Sequence, residues 1–325
     1  MEINKTEPIL DTNNISYSLL PIKYIDLWDL YKKHLASYWV VEEVDMSNDA
    51  NDWDKLTKNE KYFLCNILAF FSNADSLVNK NLALNFSNEV TINEARCFYS
   101  AQSLMENVHA EMYGLLIDTY IKDIDEKNRL FNAIKELPIV SEKVNWALKW
   151  IGLEEDKKPF ADRLIAFAAI EGIFFCGSFC AIYWLKKRNI LKGLCFSNEL
   201  ISRDEALHTK FACVLYSHLK YVENGDQKAK EIIMEAVEIE KKFICLSIPV
   251  DLIGMNKNLM SEYIEFCADA LMLNLGYKKI YNKENPFAFM KMLNIEGKTN
   301  FFEKKVSEYS KYSSNQVVNF DSLDF

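Results

Sequence analysis

Apolar residues return at intervals of three and four along nearly the whole chain from about Ile22 to Leu293, and sustained period-two alternation is weak. This is the pattern of helices that bury one face, so long helices dominate the expected fold. Only 9 Gly and 6 Pro interrupt it, and no Pro/Gly/Ser-rich linker divides it, so one all-α domain is expected. Thr57-Lys58-Asn59-Glu60 and Thr91-Ile92-Asn93-Glu94 each fit a capping box and open helices over about 57–84 and 91–122. A shorter helix near 141–151 ends at Gly152. The next begins at Pro159 and closes on Lys186, Lys187 and Arg188, cations that suit a helix C-terminus. Further helices are expected near 197–222, 227–247 and 257–275, the last closed by Gly276. Beyond about Gly297 the periodicity fades. The predicted organisation is an N-terminal arm over 1–20, a helical domain over 21–297 and a flexible C-terminal tail over 298–325.

The segment LIAFAAIEGIFFCGSFCAIYWL, Leu164 to Leu185, is long and apolar enough to span a bilayer. Glu171 near its middle argues against that, at roughly 2.5 to 3.5 kcal/mol for a central acid. A helix apolar on every side also suits the centre of a large bundle, so no membrane association is expected.

Composition narrows the function classes. Half of the 325 residues are hydrophobic, and the net charge is −9, which excludes a phosphate-tracking nucleic-acid binder. Cys65, Cys176, Cys180, Cys213, Cys245 and Cys267 sit in apolar helical runs without zinc-site spacing, the pattern of reduced thiols in a cytoplasmic protein. The start MEINKTEPILDTNN has neither a signal core nor a transit-peptide pattern. Gly172 and Gly177 share the first spacing of a phosphate loop, but Ser178 stands where its Lys belongs.

The candidate chemistry lies in repeated pairs. Of four histidines, two have a glutamate three residues earlier: Glu106-x-x-His109 and Glu205-x-x-His208. On a helix these pairs share a face. Asp75 lies on the helix before the first pair and Glu171 on the helix before the second, 31 and 34 residues ahead of the paired glutamates. Each sits among apolar residues such as Phe70, Phe71, Leu77, Ile170 and Ile173, where a lone carboxylate is expensive unless paired or metal-bound. Four carboxylates and two histidines on four helices form the ligand set of ferritin-like dinuclear carboxylate bundles, and such donors suit iron or manganese. Tyr113 follows His109 by four and shares its face. Phe175, Phe179 and Ile201 are spaced to line the bundle beside the metals.

The stretches MENVHAEMYGLLIDTYIKD, FAAIEGIFFCGSF, FSNELISRDEALH, GKTNFFEKKVSEY and YWVVEEVD resemble the eukaryotic-type small, radical-bearing subunit of class I ribonucleotide reductase, and the likeness runs from about Glu7 onward. The resemblance implies a ferritin-like bundle with additional helices and two iron ions per chain, joined by an oxo bridge when oxidised. Asp75, Glu106 and His109 would bind one iron and Glu171, Glu205 and His208 the other, with Glu106 and Glu205 bridging. It implies that the site reduces O₂ to oxidise Tyr113 to a stored radical. That radical would pass through Asp204, hydrogen-bonded to His109 and Trp39, and through Tyr309 to a large subunit that reduces ribonucleoside diphosphates. Tyr312 nearby leaves the choice of relay tyrosine open. A homodimer is implied, with the tail Asn319 to Phe325 docking the large subunit. A stand-alone di-iron oxidase and a ferritin-like iron store are the competing readings. The tail argues against the store and, with Tyr113, against the oxidase.

Overall fold

The computed structural model describes residues 6–81, 85–151, 158–247 and 256–290, apart from the side chains of 76, 77, 80 and 81. The chain divides into two units, Met1–Pro286 and Phe287–Phe325. In the first unit every regular element among the described residues is helical: α1 Ile25–Ala36, α2 Asp49–Lys55, α3 Lys58–Asn81, α4 Ser87–Glu89, α5 Asn93–Tyr120, α6 Ile124–Phe131, α7 Ala133–Glu136, α8 Pro138–Ile151, α9 Phe160–Ala169, α10 Cys176–Lys187, α11 Lys192–Ser217, α12 Gly225–Ser247 and α13 Lys257–Asn274, with short 3-10 turns between some of them. Four elements make the centre. α3 lies along α5, α11 lies along α9, and the two pairs meet through α5 and α11. α1 covers α5 and α11, while α12 and α13 flank the α9–α10 side.

Local chemistry accounts for the helix ends. Thr57 forms the expected capping box, its backbone N–H donating to Glu60 Oε2 (2.8 Å) while its hydroxyl accepts from the Glu60 N–H (3.3 Å). Gly276, at φ 86°, closes α13: its N–H donates to Leu273 O and that of Tyr277 to Met272 O, a Schellman end. The Thr91 box does not form. Thr91 instead donates to Ile9 O through both its N–H (2.8 Å) and its hydroxyl (3.0 Å), and Glu94 Oε1 accepts from the N–H groups of Lys23 (2.7 Å) and Tyr24 (3.2 Å). The groups expected to cap α5 instead hold the backbone of Ile9, Lys23 and Tyr24 against its start. α11 starts at Lys192, five residues before its predicted start. Its cap comes from another helix: Asp49 of α2 accepts from Gly193 N (3.0 Å) and Leu194 N (2.9 Å). Only glycine fits at 193, because a Cβ there would lie 2.8 Å from the Asp45 carbonyl oxygen.

The apolar segment is a core helix, 94% of its most apolar 18-residue stretch buried inside the protein. It is also not continuous. Ile170–Phe174 forms a turn of π-helix between α9 and α10, an insertion frequent at functional sites. Fully buried Lys143 of α8 fixes this turn. Its ammonium donates to the Phe174 carbonyl (2.7 Å), pairs with Glu240 of α12, and lies 3.6 Å and 3.8 Å from the ring centres of Phe70 and Phe243.

Candidate metal centre

The six residues singled out by spacing converge in the bundle core. Glu106, Glu171, Glu205 and His208 each offer a ligand atom within 4.8 Å of the others, and so do Asp75, Glu106 and His109. All are buried, none more than 3% exposed. Asp75 comes from α3, Glu106 and His109 from α5, Glu171 from the π turn, and Glu205 and His208 from α11. Glu106 belongs to both groups. Glu205 also reaches both: its Oε1 lies 3.0 Å from His109 Nδ1 and its Oε2 3.2 Å from His208 Nδ1.

The donors fit divalent cations on three grounds. First, both oxygens of Asp75, Glu171 Oε2, Glu205 Oε1 and His109 Nδ1 are buried and make no hydrogen bond. Buried polar atoms almost always have partners, so atoms that face one another without bonding define a cation position. Second, the four carboxylates, once deprotonated, would carry four negative charges, which two divalent ions would balance. Third, burial first, and then the neighbouring acids, push Asp75 and Glu171 well above the usual carboxylate range. Burial would lower both histidines, but the surrounding carboxylates outweigh it and hold His109 well above its ordinary value and His208 up to about 9. The cluster therefore collects positive charge, as protons if not as metal. Oxygen and imidazole donors with no thiolate suit hard or borderline ions such as iron and manganese.

Tyr113 is 2% exposed, and its hydroxyl makes no hydrogen bond. Burial, then the charge of Asp75, raises its pKa well above the ordinary phenol value. Its ring stacks on Phe71 at 4.6 Å, and Phe71 in turn packs on Phe175 (5.5 Å) and Phe179 (5.2 Å). Tyr113 therefore joins this aromatic group through Phe71, four residues before Asp75 on the same helix face. Ile201 is fully buried.

Behind His109 a chain of hydrogen bonds leads outward. His109 Nε2 lies 3.3 Å from Asp204 Oδ2, which also accepts from Trp39 Nε1 (2.8 Å), while Arg203 donates to Asp204 Oδ1 through Nε (3.0 Å) and Nη2 (2.8 Å). Burial alone would raise Asp204. The hydrogen bonds from His109 and Trp39 and the Arg203 charge hold it below the usual range, as an anion. Tyr309 and the tail from Asn319 to Phe325 lie outside the described residues.

Two neighbours escaped the spacing argument. Gln102, four residues before Glu106, donates through Nε2 to Glu171 Oε1 (3.0 Å) and Glu106 Oε1 (3.3 Å). Its position on the ligand face was the available signal. His34 of α1, 1% exposed, meets His208 edge to edge, Nε2 to Nε2 at 2.8 Å. No local spacing could reveal a contact across 174 residues.

Comparison with known proteins agrees with this geometry. The family model described as ribonucleotide reductase, small chain, matches residues 16–286. The ribonucleoside-diphosphate reductase small subunit of Dictyostelium discoideum is 57% identical over 316 residues, 95% of this chain and 92% of the relative. The small chain from vaccinia virus, strain Copenhagen, is 56% identical over 319 residues, 98% and 99% of the two chains. Among solved structures, the Rnr4 homodimer of ribonucleotide reductase from Saccharomyces cerevisiae superposes with a TM-score of 0.80 at 40% identity, covering 94% of this chain and 93% of that one. With a buried acid and histidine cluster where four core helices meet, and likeness at this level over nearly its full length, the chain belongs to the small-subunit family of ribonucleoside-diphosphate reductase, an oxidoreductase.

Proposed function

We propose that this chain generates and stores a tyrosyl radical at Tyr113 and delivers its oxidising equivalent to a separate large subunit, which reduces ribonucleoside diphosphates. The carrying observation is a phenol with an unbonded hydroxyl, buried and stacked on Phe71 beside four buried carboxylates. Asp75, Glu106 and His109 would hold one metal ion and Glu171, Glu205 and His208 the other, with Glu106 and Glu205 shared. When bound as ferrous ions, the pair supplies electrons to O₂ and an oxidant strong enough to take one electron from a phenol.

The chain's own groups define the rest. Phe71, Phe175 and Phe179 keep water and reductants from the ring. The raised pKa of Tyr113 means that its proton must leave with the electron, and Asp75 exerts the largest charge effect on it. Trp39, Asp204 and His109 offer a hydrogen-bonded route from the site to the α1 side, with Tyr309 or Tyr312 as the next carrier. The tail segment NFDSLDF alternates apolar and acidic residues, which suits a strip that orders on a partner groove. By family the chain works as a homodimer. Iron is the metal we assign.

The test is addition of Fe(II) and O₂ to the metal-free protein with optical and electron paramagnetic resonance spectra. A sharp tyrosyl signal with two irons per chain is expected. Iron uptake without a radical would favour a stand-alone oxidase, and continued uptake into a shell-sized assembly would favour storage. A mass near that of a dimer on gel filtration opposes the second.

A further inference from the structure

The two halves of the centre share their inner donors but differ behind them. Behind His109 stands the Asp204 carboxylate, an anion. Behind His208 stands another imidazole. His34 and His208 lie within 9° of one plane with ring centres 5.0 Å apart, and their Nε2 atoms are 2.8 Å apart. That distance is a hydrogen bond, so the two nitrogens share one proton. The His34 ring is held in turn by the edge-on ring of Phe98 (5.2 Å, 87°).

Geometry decides which ring donates. His208 Nδ1 faces Glu106 Oε1 and Glu205 Oε2, each at 3.2 Å. For that nitrogen to bind a cation its lone pair must be free, which places the His208 proton on Nε2. His34 Nε2 must then be the acceptor, with its own proton on Nδ1. We propose that His34 is a positioning residue for the second metal: it fixes the His208 tautomer that aims Nδ1 into the Glu171 and Glu205 half-site, and, being a neutral acceptor where Asp204 is charged, it leaves that metal the more weakly held of the two. The inference rests on the ligand assignment above. An imidazole hydrogen-bonded to a carboxylate is the stronger base, so the His109 half-site gains affinity that the His208 half-site lacks.

The experiment titrates full-length, metal-free protein with Mn(II), reading free ion by electron paramagnetic resonance. Wild type should bind two ions with unequal constants. His34→Leu keeps the volume but removes the acceptor, and should weaken the second ion by roughly 10- to 100-fold while leaving the first unchanged. His34→Gln places an amide oxygen near the same point and should restore most of the loss. A second constant unchanged in His34→Leu, or equally weakened in His34→Gln, overturns the proposal. Should His34→Leu fail to fold, wild type loaded with Zn(II) still decides. With only four histidines, imidazole ¹⁵N spectra should show His34 protonated at Nδ1 and His208 at Nε2, and the reverse pattern overturns the role. A wild type that binds fewer than two ions would instead overturn the ligand assignment, and His34's role with it.

Discussion

Replacing Tyr113 by Phe deletes one oxygen and leaves the ring on Phe71, 4.6 Å away. A tyrosine hydroxyl that makes an ordinary hydrogen bond contributes about 1 kcal/mol, whereas a buried one without a partner costs about 1–3 kcal/mol of desolvation. The Tyr113 hydroxyl is of the second kind, so the metal-free variant should be as stable as wild type or more stable by about 1–2 kcal/mol. Parallel urea titrations followed by far-ultraviolet circular dichroism measure this, provided the two slopes agree. The variant loaded with Fe(II) and O₂ should take up the same iron and show no tyrosyl signal. Destabilisation by more than about 1 kcal/mol would mean that the hydroxyl has a partner. A persisting radical would move it to another residue.

Glu205→Ala should abolish binding of a second ion, because the remaining buried acids repel one another without it, and metal analysis reads the stoichiometry directly. His208, held up to about 9 in the metal-free protein against 6.5 unfolded, contributes stability that is complete below about pH 6.5 and lost as pH rises through about 9, at most roughly 3 kcal/mol. Denaturation should therefore show metal-free stability falling across that window, and a flatter profile for metal-loaded protein, in which a cation has replaced the proton. Lys143→Met strands Glu240 in the core and should cost about 3–5 kcal/mol above pH 8, most of it recovered by adding Glu240→Gln; equal costs for single and double variants in urea would refute the pairing. Deleting Asn319 to Phe325 should leave iron and radical intact but remove large-subunit binding, and the peptide NFDSLDF should inhibit competitively; wild-type affinity in a pull-down titration would refute this.

The buried cluster of acids and histidines was legible because its information is local: Glu-x-x-His is a helix-face pattern, and an acid among Phe and Ile is anomalous on any helix. Thr57 and Glu60 were legible for the same reason. Thr91 and Glu94 show the same letters with another outcome, since the backbone of Ile9, Lys23 and Tyr24 reaches them first. The start of α11 was misplaced because its cap is Asp49, 144 residues before Gly193. His34 was invisible for want of any local signal. The π turn escaped because an all-round apolar segment has no polar face whose phase could betray a missing step.

That turn divides the long apolar segment into two helices, set out of phase by about 100°, the angle one residue subtends. α9 can thus seat its side chains against α11 and α12 while Phe175 and Phe179 point to Phe71, an aim that a regular helix of the same sequence could not satisfy at both ends. The irregularity is worth one residue. A single deletion between Ile170 and Phe174 would heal the backbone into a better helix and rotate everything beyond it, turning Phe175 and Phe179 away from the Phe71 ring on which Tyr113 stacks. In this stretch the more regular chain would be the blind one.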